Sequence, residues 1–315
     1  MTSWIKRLTA IVIASSVTFL TACGGGDDHT DVVSLARSNP DLSTLAEAID
    51  AAGLASTLQG PGPFTVFAPT NQAFTNVLAE LKLTKAQLFA DKPLLTAVLT
   101  YHVVSGEIPS SAVPLGKPIT TLQKGYFKAE ASGTTLQLTD GRNRLSKVAT
   151  ANVDASNGVI HVIDKVLLPA DKTVVGTAVA LSTSATPEFT LLVEALTAAD
   201  LVTTLSGPGP FTVFAPTDAA FVALLAELGI TKEALFADKP LLTSVLTYHV
   251  VPGLVLKAQV PVGSPIATVK GDTFTVNASL AITDKRARVS KITGTDVLAS
   301  NGVIHVIDKV ILPAP

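Results

Sequence analysis

The feature that most constrains this chain is an internal duplication. Three segments recur in the same order, the first unchanged and the others with one change each: 60–70 at 207–217, 88–104 at 235–251 and 156–169 at 300–313. The repeat is on the order of 140 residues long, which is the size of an independent domain and far longer than a solenoid unit. The sequence therefore predicts two tandem copies of one domain.

The copies also predict the domain boundaries. We place the first domain at 31–169, a linker at 170–172 and the second domain at 173–313. The second copy lacks three residues of the run 131–136, whose flanks alternate between apolar and polar residues as strands do. Because loop tips tolerate such deletions, this run predicts the tip of a β-hairpin.

Helical patterns come first in each copy. Asn39 and Pro40 predict a helix start, since Asn caps helices and Pro fits the first helical turn; Thr186 and Pro187 predict the same in the second copy. Apolar residues at helical spacing follow in three stretches of the first copy: Leu42, Leu45, Ala46 and Ile49; Phe74, Val77, Leu78 and Leu81; Leu94, Leu95, Val98 and Leu99. Thr70 or Asn71 is the predicted cap of the second stretch.

Strand patterns dominate the later part of each copy. A short strand is predicted at 64–67, and alternating runs follow from Ile119 onward, with the strongest strand at Val159–Leu168. Helices first and a β-rich half afterwards indicate an α+β fold.

The N-terminus has the layout of an export signal. Lys6 and Arg7 precede an apolar run of about a dozen residues, too short to cross a bilayer core, which takes ~20. We assign 1–22 to a signal peptide and 23–30 to a flexible tether. Leu20-Thr21-Ala22-Cys23 is similar to a bacterial lipobox, so we expect Cys23 to be lipidated; the alternative is an ordinary signal peptide with an incidental cysteine. Attachment to the membrane would then be through the lipid anchor alone.

The expected location is the cell envelope. Gly24 after the cysteine is typical of lipoproteins sent to the outer membrane of a Gram-negative cell, facing the periplasm or the surface, with partial release also open.

No cysteine other than Cys23 occurs, so the domains need no disulfide, and 47% hydrophobic residues can form their cores. A net charge of −2 without a basic patch predicts no nucleic-acid partner. No metal-ligand spacing, nucleophile elbow or dinucleotide motif is found, so we expect no cofactor, no metal and no enzymatic activity.

A catalytic pairing of His161 with Asp164, or of His305 with Asp308, is disfavoured by strand geometry. Residues three apart on a strand point to opposite faces. Because both faces here are apolar, we expect a strand buried on both sides, with these four residues as structural polar groups that hydrogen-bond to neighbouring segments.

Three motifs give the chain a family resemblance. The run from Phe64 to Phe74, the pair Tyr101-His102 and the run from Asn157 to Pro169 resemble the signature segments of fasciclin (FAS1) domains, and all three recur in the second copy. The resemblance implies two tandem FAS1-like domains, each a β-sheet wedge with helices packed along it.

The resemblance also implies adhesion outside the cell, through the Tyr-His segment and an acidic-aliphatic pair before the last signature. Candidates for partner contact are therefore Tyr101, His102, Tyr248, His249, Asp296 and Val297. The first copy has Asn152 in place of the acidic residue, so the two copies are not expected to bind alike. The alternative for the Tyr-His pairs is internal packing at a helix-to-strand corner.

The sequence thus favours a non-enzymatic cell-surface adhesion module, whose partner is an extracellular or surface protein or a matrix polymer. Two weak sites on one tethered chain would gain avidity. A small-molecule or lipid-binding envelope protein or a scaffold is the alternative, and it requires a pocket. A hydrolase built on the Asp and His residues is the third hypothesis.

Overall fold

The computed structural model describes residues 30–186 and 188–315. The predicted signal peptide, Cys23 and most of the tether lie outside the described residues, as does Pro187. The first domain (domain 1) has these helices: α1 Val32–Ser38, α2 Ser43–Ala52, α3 Ala55–Leu58, α4 Asn71–Leu81, α5 Lys85–Ala90 and α6 Lys92–Tyr101. Its strands are β1 Phe64–Pro69, β2 Val103–Ser105, β3 Pro118–Thr120, β4 Tyr126–Ser132, β5 Thr135–Thr139, β6 Leu145–Ala155 and β7 Gly158–Ile163.

The second domain (domain 2) repeats this order. Its helices are α7 Val174–Ser182, α8 Thr190–Ala198, α9 Val202–Ser206, α10 Asp218–Leu228, α11 Lys232–Ala237 and α12 Lys239–Tyr248. Its strands are β8 Phe211–Pro216, β9 Val250–Pro252, β10 Pro265–Ala267, β11 Thr273–Val276, β12 Ala281–Thr283, β13 Val289–Ala299 and β14 Gly302–Ile307. The predicted α+β class is confirmed.

The helix starts follow from their capping residues. The Asn39 side chain accepts a hydrogen bond from the Asp41 amide, and the first turn, Pro40–Leu42, is a 3₁₀ turn that leads into α2. Thr70 caps α4 by accepting from the Ala73 amide, as predicted. In domain 2 the corresponding helix α8 begins at Thr190, later than the predicted start at 186–187.

Each domain contains a seven-stranded sheet with the strand order β2-β1-β7-β6-β5-β4-β3 in domain 1. Strands β1 and β7 are parallel, and the other neighbours are antiparallel. Strand β6 pairs with β5 along its first part and with β7 along the rest, with register shifts between Val148 and Val153. Such irregularities bend a strand, so β6 divides the sheet into the two halves of the predicted wedge.

Two apolar clusters form the core of domain 1. Helices α1, α2, α4 and α6 pack on one face of β1 and β7, where Val66, Ala68 and Ile160 are buried. Phe67 points from the other face of β1 into the space between the half-sheets, where its ring lies 5.0 Å from that of Phe127, edge to face. Domain 2 repeats both clusters. The wedge is therefore closed by aromatic packing at its centre.

Two strand predictions have different outcomes. The predicted hairpin tip is confirmed, since β4 and β5 are joined at Gly133 and Thr134. The predicted strand Val159–Leu168 was wrong at its end, because β7 stops at Ile163. Val166–Leu168 are buried but continue without ladder pairing.

Candidate functional site: the interdomain contact and the buried polar motifs

The Tyr-His pair of domain 1 lies at the corner between α6 and β2, and both side chains are inside the domain. His102 is 2% exposed. Its Nδ1 lies 2.7 Å from the Val98 carbonyl oxygen, and its Nε2 accepts a hydrogen bond of 2.8 Å from the Leu167 amide. This arrangement requires a neutral imidazole with its proton on Nδ1. Burial lowers the pKa of His102 to about 4, in agreement with that state.

Tyr101 is fully buried, and its hydroxyl donates to the Tyr126 carbonyl oxygen at 2.6 Å. Burial raises the pKa of this phenol well above its usual value. In domain 2 the Tyr248 hydroxyl donates to the Thr273 carbonyl oxygen at 2.9 Å, and burial raises the pKa of Tyr248 to about 12.

His249 repeats the contacts of its counterpart: its Nδ1 lies 2.8 Å from the Val245 carbonyl oxygen, and its Nε2 accepts from the Ile311 amide. A partner contact at the surface was expected of four residues: Tyr101, His102, Tyr248 and His249. All four rings are buried inside their domains, so none is exposed to a partner. The geometry gives them the internal role at a helix-to-strand corner.

His161 and Asp164 point to different surroundings. His161 is fully buried on β7, where its Nε2 donates to the Ile108 carbonyl oxygen at 2.9 Å and its Nδ1 accepts from the Asn152 amide. Burial lowers its pKa. Asp164 follows the end of β7, is exposed, and accepts from the Lys147 amide at 2.7 Å. The expected burial on both sides was therefore wrong for Asp164, because the strand has ended there.

The second copy has the same contacts. His305 Nε2 donates to the Val255 carbonyl oxygen at 2.9 Å, and Asp308 accepts from the Lys291 amide at 2.7 Å. The two side chains of each pair bond to separate loops and strands. This geometry offers no hydrogen-bonded acid-base relay.

Asp296 lies between the two domains rather than on the outer surface. Its Oδ2 is 3.0 Å from Lys128 Nζ of domain 1, and its Oδ1 accepts a 2.7 Å hydrogen bond from the Lys257 amide. Asp296 is 4% exposed, and Val297 beside it is half-buried. The partner contact expected of Asp296 is thus occupied by domain 1.

Lys128 is the cation of this contact, and it also lies 3.0 Å from Glu130. Burial opposes its charge, but the hydrogen bonds and charges of Asp296 and Glu130 outweigh that effect and raise the pKa of Lys128. Lys128 is therefore held in its charged form, in a contact that is largely shielded from solvent.

Tyr126 and Asn143 of domain 1 bind the backbone of domain 2. The Tyr126 hydroxyl lies 2.8 Å from the Ala299 carbonyl oxygen and 2.5 Å from that of Gly302. The Asn143 amide donates to the Leu298 carbonyl oxygen at 3.1 Å and accepts from the Leu298 amide at 2.7 Å. One side chain thus pairs with both backbone groups of a residue, as a neighbouring strand would.

Apolar contact completes the interface. Leu256, Leu298 and Val303 of domain 2 form a buried cluster against which Leu254 and Tyr126 pack. We call Leu254, Leu256, Asp296, Leu298 and Val303 the docking face of domain 2, and Gly116, Tyr126, Lys128 and Asn143 the receiving face of domain 1. At Gly116 a Cβ would lie 2.8 Å from that of Ala258, so the two backbones approach closely.

The pockets of the described residues do not single out a ligand. An apolar cavity in the core of domain 2, lined by Val175, Leu196 and Ile304, has a volume of about 20 Å³, which is room for one water molecule. Larger clefts of about 460 and 550 Å³ border the interdomain contact and are open to solvent. Among residues 30–186 and 188–315, no group of three or more metal-ligating side chains is found.

Comparison with known proteins agrees with the motifs. The fasciclin domain model matches residues 40–169 and 187–313. The chain belongs to the fasciclin domain family. A Synechocystis protein, sll1483, is 44% identical over 145 residues, covering 45% of this chain and 76% of that protein. Human periostin is 27% identical over 293 residues, covering 91% of this chain but 32% of periostin, so this fasciclin chain spans about a third of that relative.

Among solved structures, a FAS1 domain pair from the insect cell adhesion molecule fasciclin I aligns with 87% of this chain and 98% of its own, at 20% identity and a TM-score of 0.43. The resemblance read from the motifs is confirmed by the family match. Sequence reasoning missed Tyr126, Lys128 and Asn143. The one signal in the sequence was that these positions differ between the copies. Domain 2 has Thr273, Thr275 and Ala287 at the matching positions.

Proposed function

We propose that this fasciclin protein is a non-enzymatic adhesion protein of the cell envelope, exported and anchored by a lipid on Cys23. Its partner is an extracellular or surface protein or a matrix polymer. The observation that carries the proposal is the family match over both copies, because fasciclin relatives are extracellular, adhesion-related proteins.

The anchor rests on the sequence before the described residues. Leu20-Thr21-Ala22-Cys23 provides the lipobox, and Cys23 is the one cysteine of the chain. In the part of the chain that the structure describes, no helix is long and apolar enough to span a membrane. On the basis of that tetrapeptide, we propose the acyl chains of Cys23 as the attachment.

The position of Thr30 orients the protein on that anchor. The Thr30 carbonyl accepts a hydrogen bond from the Ser156 amide, at the turn between β6 and β7. Domain 2 docks on the receiving face, which belongs to the opposite half-sheet of domain 1. Seven residues extend at most roughly 25 Å, so Cys23 would hold domain 1 near the membrane and place domain 2 farther out.

The presented surface then lies on domain 2. Asp296 is taken up by the interdomain pair, so it is not the contact that we propose for a partner. We propose that the partner contacts the face of domain 2 around Thr273, where Arg286 and Val289 are exposed.

Two experiments test the parts separately. Labelling cells with a palmitate analogue should mark the wild-type chain and leave Cys23→Ala unmarked; label on the variant contradicts the anchor. Deleting the gene should reduce attachment of cells to a surface or to each other, and complementation should restore it. Unchanged attachment in the deletion strain removes the adhesive role, whatever the labelling shows.

A further inference from the structure

The two domains of this chain meet through different faces. Domain 2 contributes its docking face, whereas domain 1 contributes its receiving face. Head-to-tail contacts between like units can repeat from one unit to the next, and they continue into filaments unless the rotation between units closes a ring. In a chain of identical domains, the unused docking face of one molecule would fit the unused receiving face of the next.

The unused receiving face belongs to domain 2. The Tyr101 and Tyr248 hydroxyls bind equivalent carbonyls, at Tyr126 and Thr273, and this fixes the alignment of the two faces. The three binding residues of domain 1 are all replaced in domain 2: Tyr126 by Thr273, Lys128 by Thr275, and Asn143 by Ala287. The phenol, the cation and the amide that hold the interface are therefore absent from this face.

The unused docking face belongs to domain 1. Ile108 and Val255 both accept from the buried histidine of their domain, which aligns this face. Four contact residues of domain 2 are replaced in domain 1: Leu254 by Glu107, Leu256 by Pro109, Asp296 by Asn152, and Leu298 by Asp154. Glu107, Pro109, Asn152 and Asp154 are all exposed. Two leucines become carboxylates, and a carboxylate buried in such a contact without a cation is strongly unfavourable.

The shared positions show that these changes are selective. Ala155, Gly158 and Val159 match Ala299, Gly302 and Val303, so the backbone of the docking face is the same in both copies. Of the docking-face side chains only Val303 is retained, as Val159, whereas the side chains that provide the charge and most of the apolar area differ. Both outward faces therefore lack the charged, hydrogen-bonding and leucine side chains that hold the inward faces together.

We propose that the fasciclin pair is a self-terminating head-to-tail module, in which the outward faces are altered so that a second copy of this chain cannot add to either end. Within the chain, the short linker at 170–172 holds the inward faces at high effective concentration. Between chains, the outward faces lack the Lys-Asp pair and present Glu107 and Asp154 instead. The module therefore remains one pair long. This inference does not depend on adhesion or on the anchor.

The test restores the lost faces in the full mature chain with Cys23→Ser. The first variant, Thr273→Tyr with Thr275→Lys and Ala287→Asn, rebuilds a receiving face on domain 2. The second variant, Glu107→Leu with Pro109→Leu, Asn152→Asp and Asp154→Leu, rebuilds a docking face on domain 1. By light scattering, the wild type and each variant alone should be monomeric. An equimolar mixture of the two variants should form 1:1 dimers, and a chain carrying all seven changes should form longer oligomers as concentration rises.

A charge-reversed control separates this contact from general stickiness. Thr273→Tyr with Thr275→Glu and Ala287→Asn places a carboxylate opposite the new Asp at 152, so its mixture with the second variant should stay monomeric. Circular dichroism must show that each variant is folded. The proposal is overturned if the wild type polymerises, if the folded variants do not associate with each other, or if the charge-reversed control associates equally well.

Discussion

Each Tyr-His corner holds a histidine that must stay neutral, because its Nε2 accepts an amide hydrogen bond that a protonated ring could not accept. Burial lowers the pKa of His102 and of His249 to about 4, from 6.5 in the unfolded chain. Between pH 6.5 and 4 the unfolded state binds protons that the folded state does not, so the free energy of unfolding falls as pH falls. We expect a loss of a few kcal/mol from each histidine across this window, measured by urea denaturation at pH 7 and at pH 4.5.

Glutamine can replace these histidines without titrating, since its side chain offers an NH₂ group that donates and a carbonyl oxygen that accepts. His249→Gln should lower stability at pH 7 through imperfect packing but make the dependence on pH shallower. Adding His102→Gln should flatten it further. An unchanged pH slope in the double variant would assign the effect to other groups.

The ion pair between Lys128 and Asp296 gives a second prediction at this scale. Lys128→Met leaves the buried Asp296 carboxylate without its cation and should cost about 3–5 kcal/mol. Lys128→Met combined with Asp296→Leu should recover most of that loss, because no unpaired charge remains. Chemical denaturation of the two single variants and the double variant gives the coupling energy. Thr275→Met, at the matching position of domain 2, is the control and should change stability by less than about 0.5 kcal/mol.

Among the elements, the helix starts at Asn39 and Thr70 of domain 1 could be predicted from sequence, because capping depends on residues a few positions apart. Thr70→Ala in α4 and Thr217→Ala in α10 should each cost about 1 kcal/mol, as each hydroxyl accepts from the amide three residues on. Thr75→Ala, on the exposed face of α4, is the matched control and should be neutral or slightly stabilising. Thermal or urea unfolding compares the three variants, and an equal loss at Thr75 would contradict the capping explanation.

The end of β7 could not be predicted in the same way. Val166–Leu168 are apolar and buried, so they carry the same pattern as a buried strand. Their backbone groups instead bond to side chains: the Val166 carbonyl to Arg144, the Leu167 amide to His102, and the Leu168 amide to Asp140. The pattern of apolar residues indicates burial. It does not indicate which groups form hydrogen bonds with the backbone N–H and C=O groups, and here those groups are distant in sequence.

At the scale of the whole molecule, sequence indicated two domains but not how they meet. Asp296 is an acidic residue present in one copy only, and from the sequence we expect it to contact an outside partner. Its partner is Lys128, which lies 168 residues earlier in the chain, and no local pattern links the two. Comparing the copies identified the differing positions, but only the structure places them on the faces that meet.

The docked arrangement gives a prediction for the shape of the protein. Lys128→Glu would replace the cation that faces Asp296 with a second carboxylate, and repulsion in a buried contact should separate the domains. Small-angle X-ray scattering of the mature chain should then show a larger radius of gyration than for the wild type. Thr275→Glu, on the outward face of domain 2, should leave the radius unchanged. A compact Lys128→Glu variant would mean that the other contacts hold the pair without the ion pair.

The parallel pairing of β1 and β7 has a mechanical consequence. The chain enters the pair at Phe64 and leaves it at Ile163, and these residues lie at opposite ends of six paired positions. Tension along the chain would therefore shear all of these pairs together rather than peel them one at a time, and β8 and β14 repeat the arrangement. Shear loading distributes force over many bonds at once, so each domain should resist sudden pulling better than an unzipping hairpin of the same stability.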